Sequence, residues 1–161
     1  VLRDCILQLG GNLDLSMGGP GFSLFEPNDN YVRVYLPKVS LDPGDHRRMV
    51  YLHKVRMETV PVFGAFDVPD AGQVCPTRGR STTAIQALNL FNSPFVLAQA
   101  RRMAARLEAS GPDVVEVAYR LAYGRAAGPG EVQAAGAFIE QEGLEAFCRA
   151  VLNSNELVFL P

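Results

Sequence analysis

Two hydrophobic periods run along this chain, and the change from one to the other falls near residue 80. In the C-terminal stretch Leu144, Phe147, Cys148, Val151 and Leu152 recur at i, i+3, i+4, i+7 and i+8, one face of an α-helix. Val96, Ala100, Met103 and Leu107 draw a similar stripe on a helix that Pro94 opens and that runs to about Ala109. Gly111-Pro112 starts a third helix, with Val114, Val117, Ala118 and Leu121 expected inward and Gly124 as its stop. Gly128-Pro129 starts a fourth, with Glu131 in its first turn and an end near Gly143. Three short connections in a row predict an antiparallel helical bundle over residues 81–161. Arg125 and Glu156, both at bundle ends, are expected to pair.

Residues 1–80 read differently. Leu2, Ile6 and Leu9 share one helical face before Gly10-Gly11, whereas "SMGGPGF" defeats both regular periods. "NYVRVYLP" alternates around Val32 and Val34, and "RRMVYLHKVRM" alternates through Met49, Tyr51, His53 and Val55. These predict two strands joined through Asp42-Pro43-Gly44-Asp45, a ribbon that must lie on helices because two strands alone are marginal. "TVPVFGAFDVPDAG" predicts one helical turn at most, then a loop. The expected fold is mainly α: an antiparallel helical bundle with a small β-hairpin and long irregular loops in the N-terminal half. At 161 residues it is one domain or domain fragment.

One segment breaks the pattern. In "CPTRGRSTTAIQALNLFNSP" the residues Thr82, Gln86, Asn89 and Ser93 follow steps of four, three and four, a stripe of amides and hydroxyls. Ile85, Leu88 and Leu90 look apolar enough for a core, and Ser81 or Thr82 is the expected N-cap. Between Ala71 and Leu107 there is no acidic residue but five arginines, Arg78, Arg80, Arg101, Arg102 and Arg106. Two readings stay open. The stripe is a hydrogen-bond network holding irregular backbone, or Asp67, Asp70, Arg78, Arg80, Thr82, Gln86 and Asn89 bind a ligand. Amides suit sugar hydroxyls, and arginine forks suit carboxylate or sulfate groups.

Composition narrows the classes. A net charge of −2 argues against a dedicated nucleic-acid binder, and no run of eighteen apolar residues is long enough to insert in a membrane. Of three cysteines, Cys5 and Cys148 read as small core residues, and Cys75 sits in a Gly/Pro-bounded loop. Nothing places Cys75 beside His53, which alternates as a half-buried strand residue would. Asp67 and Asp70 lie three apart in a Pro-containing loop, where capping the turn or binding Arg78 and Arg80 explains them. No catalytic set is assigned, and no metal-ligand or haem-attachment spacing is present. Val1 starts as though already inside a helix, which reads as a piece of a longer protein.

Six blocks occur in order: "MGGP", "RRMVYLHKVR", "FDVPD", "CPTRGRSTTAIQALNLFNSPFV", "AYRLAYGR" and "LNSNEL". Together with the opening "LRD" before "GGNLD" they resemble the planctomycete-type C-terminal domain catalogued as domain-of-unknown-function family 1553. The resemblance covers the whole chain but only the later part of that domain, and Ile85 stands where a proline is common. It implies a helical accessory domain that closes a large exported protein, periplasmic or at the cell surface. Such proteins often carry a c-type cytochrome domain, so any haem belongs to another domain and this chain is expected to hold no cofactor. The implied partners are upstream domains of the same polypeptide. An acidic or sulfated polysaccharide is the alternative, and the resemblance supplies no catalytic residues.

Overall fold

The computed structural model describes residues 1–27, 34–56, 58–60, 62–66, 68, 76 and 83–159. Seven helices form among them: α1 (Leu2–Leu9), α2 (Ala84–Asn92), α3 (Pro94–Glu108), α4 (Val114–Tyr123), α5 (Pro129–Glu142), α6 (Leu144–Leu152) and α7 (Asn155–Val158). The central helix is α3, which packs most extensively on α6 and also receives α1, α2 and α4. Its stripe of Val96, Ala100, Met103 and Leu107 is fully buried, as the i, i+4, i+7 and i+11 spacing requires. Phe147, Cys148, Val151 and Leu152 of α6 join the same core. Burying each large side chain there is worth about 1.5–3 kcal/mol, so this pair of helices anchors the molecule. Burial also pushes the Cys148 thiol up to about 12, so this sulfur behaves as a hydrophobe.

Helix boundaries follow local chemistry. Pro94 occupies the first turn of α3, Gly124 takes the left-handed conformation after α4 (φ +70°), and Pro129 opens α5 behind a Gly128 N–H donated to Glu131 Oε2 at 2.7 Å. The inward face of α4 differs from the expected one. Val115, Ala118 and Ala122 are buried, Val114 and Val117 are half-buried, and Leu121 is 38% exposed. Two apolar stripes overlap on this helix, and its neighbours select the one with the smaller residue at its end.

The β-hairpin does not form. Residues 28–33 lie outside the described residues, and the remainder of the proposed first strand, 34–36, is irregular. Met49–Tyr51, in the proposed second strand, is a 3₁₀ turn. Only isolated bridges occur among the described residues: Asp14 with Arg47, Phe22 with Leu52, and Phe25 with Pro37. The physical reason is that α1 captures the backbone groups a ladder would need. The Met49 N–H donates to Asp4 Oδ1 at 2.9 Å, and the Arg47 carbonyl accepts from Arg3 Nη1 at 2.8 Å. The Asp42–Asp45 region is likewise a turn, exposed at Asp42, Pro43 and Gly44 but buried at its end: Pro43–His46 is 3₁₀, and Asp45 is buried and salt-bridged to Lys38 at 2.8 Å. Phe63–Ala65 makes the single helical turn expected there.

Arg125 and Glu156 do pair. The Arg125 guanidinium donates Nε and Nη2 to the Glu156 carboxylate at 2.7 and 2.9 Å, and Nη1 and Nη2 to Glu131 at 2.8 and 2.7 Å. One arginine thereby ties the end of α4 to α5 and α7 while lying over the Tyr119 and Tyr123 rings. Hydrogen bonds from Arg125 hold Glu131 down at about 2 and lower Glu156 as well. A carboxylate with a depressed folded pKa stabilises above its unfolded pKa and loses that contribution as pH falls through the folded one. Stability should therefore decline between about pH 4.5 and about 2. Arg125→Gln should flatten this acid slope in melts recorded across that range, with a small loss at neutral pH that high salt diminishes. An unchanged slope would remove Arg125 as its source.

Candidate functional site

The arginine and amide segment is only partly within the described residues. Cys75, Arg78, Arg80, Thr82, Asp67 and Asp70 lie outside them; Gln86 and Asn89 lie on α2. The N-cap of α2 is Thr83, whose Oγ1 accepts from the Gln86 N–H at 3.3 Å, while Gln86 Oε1 accepts from the Thr83 N–H at 3.0 Å. The other end of the Gln86 amide donates to the Ala65 carbonyl at 2.9 Å. Gln86 is 4% exposed, so a buried amide fastens α2 to the irregular chain around Phe63–Ala65. Asn89 is half-buried, and Ser93 is buried between α2 and α3.

Helix α2 is consequently turned inside out. Leu90 packs in the core beside the buried Gln86, but Ile85 is 64% exposed, Leu88 59% and Phe91 48%. The expectation that Ile85 and Leu88 fill the core is corrected. The inward direction is fixed by the hydrogen bonds of Gln86 and by Leu90, which leaves the remaining apolar positions outside. Neither sign of charge occurs anywhere on this helix.

A cavity of about 600 Å³ opens on the opposite edge of α3. The first half of α3 forms one wall through Ser93, Phe95, Ala98, Gln99 and Arg102; Arg3 of α1, His46 and the 37–41 segment form the others. Leu24, Leu41, Phe63 and Phe95 make it largely apolar, with Phe63 and Phe95 in edge contact at 5.5 Å. Among the described residues three cations line it and no carboxylate does. Two of the three are engaged: Arg3 donates to the Arg47 and Asp45 carbonyls, and Lys38 Nζ donates to both Asp45 oxygens at 2.8 Å. The His46 Nδ1 sits within hydrogen-bond distance of the Asn12 side-chain amide, at 3.1 Å. Burial, then the Arg102 and Arg3 guanidiniums, push the His46 pKa below its ordinary value and keep the ring neutral. His53, by contrast, is exposed rather than half-buried. The remaining described arginines of the acid-free stretch are structural, Arg101 pairing with Glu145 at 2.9 Å and Arg106 donating to the Gln8 carbonyl at 2.8 Å.

The family described as protein of unknown function (DUF1553) matches residues 1–139. The chain belongs to the DUF1553 family. No curated protein and no solved structure matches it. In this DUF1553 chain the ordered sequence blocks meet one another. Arg47 of "RRMVYLHKVR" donates to the Gly18 and Pro20 carbonyls of "MGGP", and the Gly18 N–H donates to the Tyr51 hydroxyl at 2.9 Å. Gly21 follows without a side chain because a Cβ there would lie 2.6 Å from the Tyr51 carbonyl oxygen. Tyr123 of "AYRLAYGR" donates to Ser154 of "LNSNEL" at 2.9 Å.

Of the cavity's polar residues, only Arg102 and Ser93 had drawn attention in the sequence. Arg3, Lys38, His46 and Gln99 come from separate segments, and Arg3 in particular sits on a helix whose apolar spacing alone gave no reason to expect a buried guanidinium.

Proposed function

We propose that this DUF1553 chain is a non-catalytic helical interaction domain of a larger exported protein, one that also carries a c-type cytochrome domain and works in the periplasm or at the cell surface. The setting rests on the family resemblance. The observation that carries the interaction role is α2: a nine-residue helix with no charge, its amide inside and Ile85, Leu88 and Phe91 outside. Single exposed apolar residues are ordinary, but three on successive turns of an uncharged helix form a patch that association would cover. The helix itself carries no charge, and Arg149, which lies over the Phe91 ring, is engaged by the Phe91 carbonyl, so the exposed face fits a permanent, apolar contact better than a transient one. The occupant is another segment of the same polypeptide, for which tethering raises the effective concentration. Among the described residues no helix is long and apolar enough to cross a membrane.

Leu88→Asp in the whole polypeptide tests this. The substitution should leave the melting of the 161-residue chain nearly unchanged, since Leu88 is exposed. In the parent it should detach this domain, read as loss of amide-exchange protection on α2 and faster proteolysis at the domain junction. Equal protection of α2 in the isolated chain and the parent would sink the reading. A dimer of the isolated chain that Leu88→Asp dissociates would replace the tethered occupant by a second copy.

A further inference from the structure

We propose that the cavity between α1 and the first half of α3 is a binding site for an amphiphilic monoanion: a singly charged oxyanion head on an aryl or short acyl body. This is independent of the α2 surface and uses none of the residues that the arginine and amide segment offered for a glycan. The head is read from Arg102. It lines the cavity, and among the described residues it makes no hydrogen bond or ion pair, whereas Arg3 and Lys38 are already committed to Asp45 and to backbone carbonyls. One uncommitted cation matches one negative charge.

A second observation points the same way. Gln99, one turn before Arg102 on the same edge of α3, is 2% exposed, and its Oε1, an acceptor that lies against Gly10, has no hydrogen-bond partner. The Ser93 hydroxyl, buried at the N-cap of α3, caps no backbone N–H, and Arg3 Nε is also unpartnered. Three of the five buried, unpartnered polar atoms among the described residues belong to residues that line this cavity, Ser93 and Gln99 on one wall and Arg3 on another. Buried polar groups are nearly always satisfied, so such a concentration marks a place where another molecule completes the set. The Ser93 hydroxyl, which can donate, the Arg102 guanidinium and the start of a fifteen-residue helix favour an anion there.

Size and lining decide the body. A bare inorganic oxyanion would occupy a small part of about 600 Å³, a volume in the range of organic-ligand pockets. The rest of the wall is Leu24, Leu41, Phe63 and Phe95, which offers a sugar's hydroxyls little and an apolar chain or ring a great deal.

Calorimetric titration of the 161-residue chain with 4-phenylbutyrate, 4-phenylbutanamide and inorganic sulfate tests both halves of the proposal. The carboxylate should bind at least about tenfold more tightly than either comparison compound, the margin one charge-assisted hydrogen bond supplies. Arg102→Gln should reduce its affinity to that of the amide. Arg101→Gln, which removes only the outward pair with Glu145, should leave it unchanged. Both arginines are exposed, so unchanged melting of each variant separates lost binding from lost folding. The amide binding as well as the carboxylate, or full affinity in Arg102→Gln, overturns the head. Sulfate binding as tightly as the carboxylate overturns the body. No binding of any compound at millimolar concentration overturns the site.

Discussion

Arg3→Ala should lower the unfolding free energy by about 3–5 kcal/mol in urea titration, the range for removing one partner of a buried charged set. Arg3 is 2% exposed on the first turn of α1. Its guanidinium donates to the Arg47 carbonyl at 2.8 Å and to the Asp45 carbonyl, lies 5.0 Å from the Phe22 ring centre and 3.7 Å from Asp4. Truncation leaves two carbonyls without their donor and a void under Phe22 and Phe95. Burial lowers the Arg3 pKa, partly offset by Asp4 and Asp45, but an arginine stays protonated. Arg3→Lys should fall between wild type and alanine, because one ammonium keeps the charge but cannot span both carbonyls. The damage should also be local: residues 34–52, pinned to α1 through residues 45–49, should become protease-sensitive before the helical half does. A loss below about 1 kcal/mol would show that Arg3 is no more than a surface-grade contact.

That prediction marks where legibility ended. Helix positions in the second half could be read because a 3.6-residue period and Pro or Gly punctuation are local properties; Pro94, Gly124, Gly128-Pro129 and Gly143 fall at the observed ends. The ribbon could not be read, and its alternation breaks in the second segment, where Leu52 is half-buried and His53 exposed. Val55 is buried and Met49 and Tyr51 are half-buried, but the Met49 N–H and the Arg47 carbonyl are taken by the side chains of Asp4 and Arg3 from α1, more than forty residues away. Alternation reports which residues are buried and is silent about what pairs with the backbone.

The site was less legible than the fold for the same reason. The stripe through Gln86 was visible, and its use for holding irregular backbone was one of the two open readings; the Ala65 carbonyl that turns Gln86 inward was not visible. Knowing that the stripe faces in would have implied that Ile85 and Leu88 face out. Gln99 and Arg102 share an edge of α3 at i and i+3, but Arg3, Lys38 and His46 come to the cavity from other parts of the chain, and no spacing rule links them to that pair. The one signal was the run without acids, which left Arg102 without a nearby carboxylate in sequence.

Leu107→Ala and Leu121→Ala should differ sharply, and the comparison tests how α4 sits. Leu107 has no exposed surface and lies in the core beside α6, so its truncation should cost about 2–5 kcal/mol. Leu121 is 38% exposed, so its truncation should cost under about 1 kcal/mol in the same urea titration. Sequence spacing alone put both inward and would give comparable losses. The converse substitution sharpens the contrast. Ala122 is 8% exposed on the inward face, and Ala122→Leu should destabilise by about 1–3 kcal/mol because the added volume meets packed neighbours. Were Leu121→Ala instead to match Leu107→Ala, with Ala122→Leu neutral, α4 would present the stripe read from the sequence, and the buried face would be Val114, Val117 and Leu121 after all.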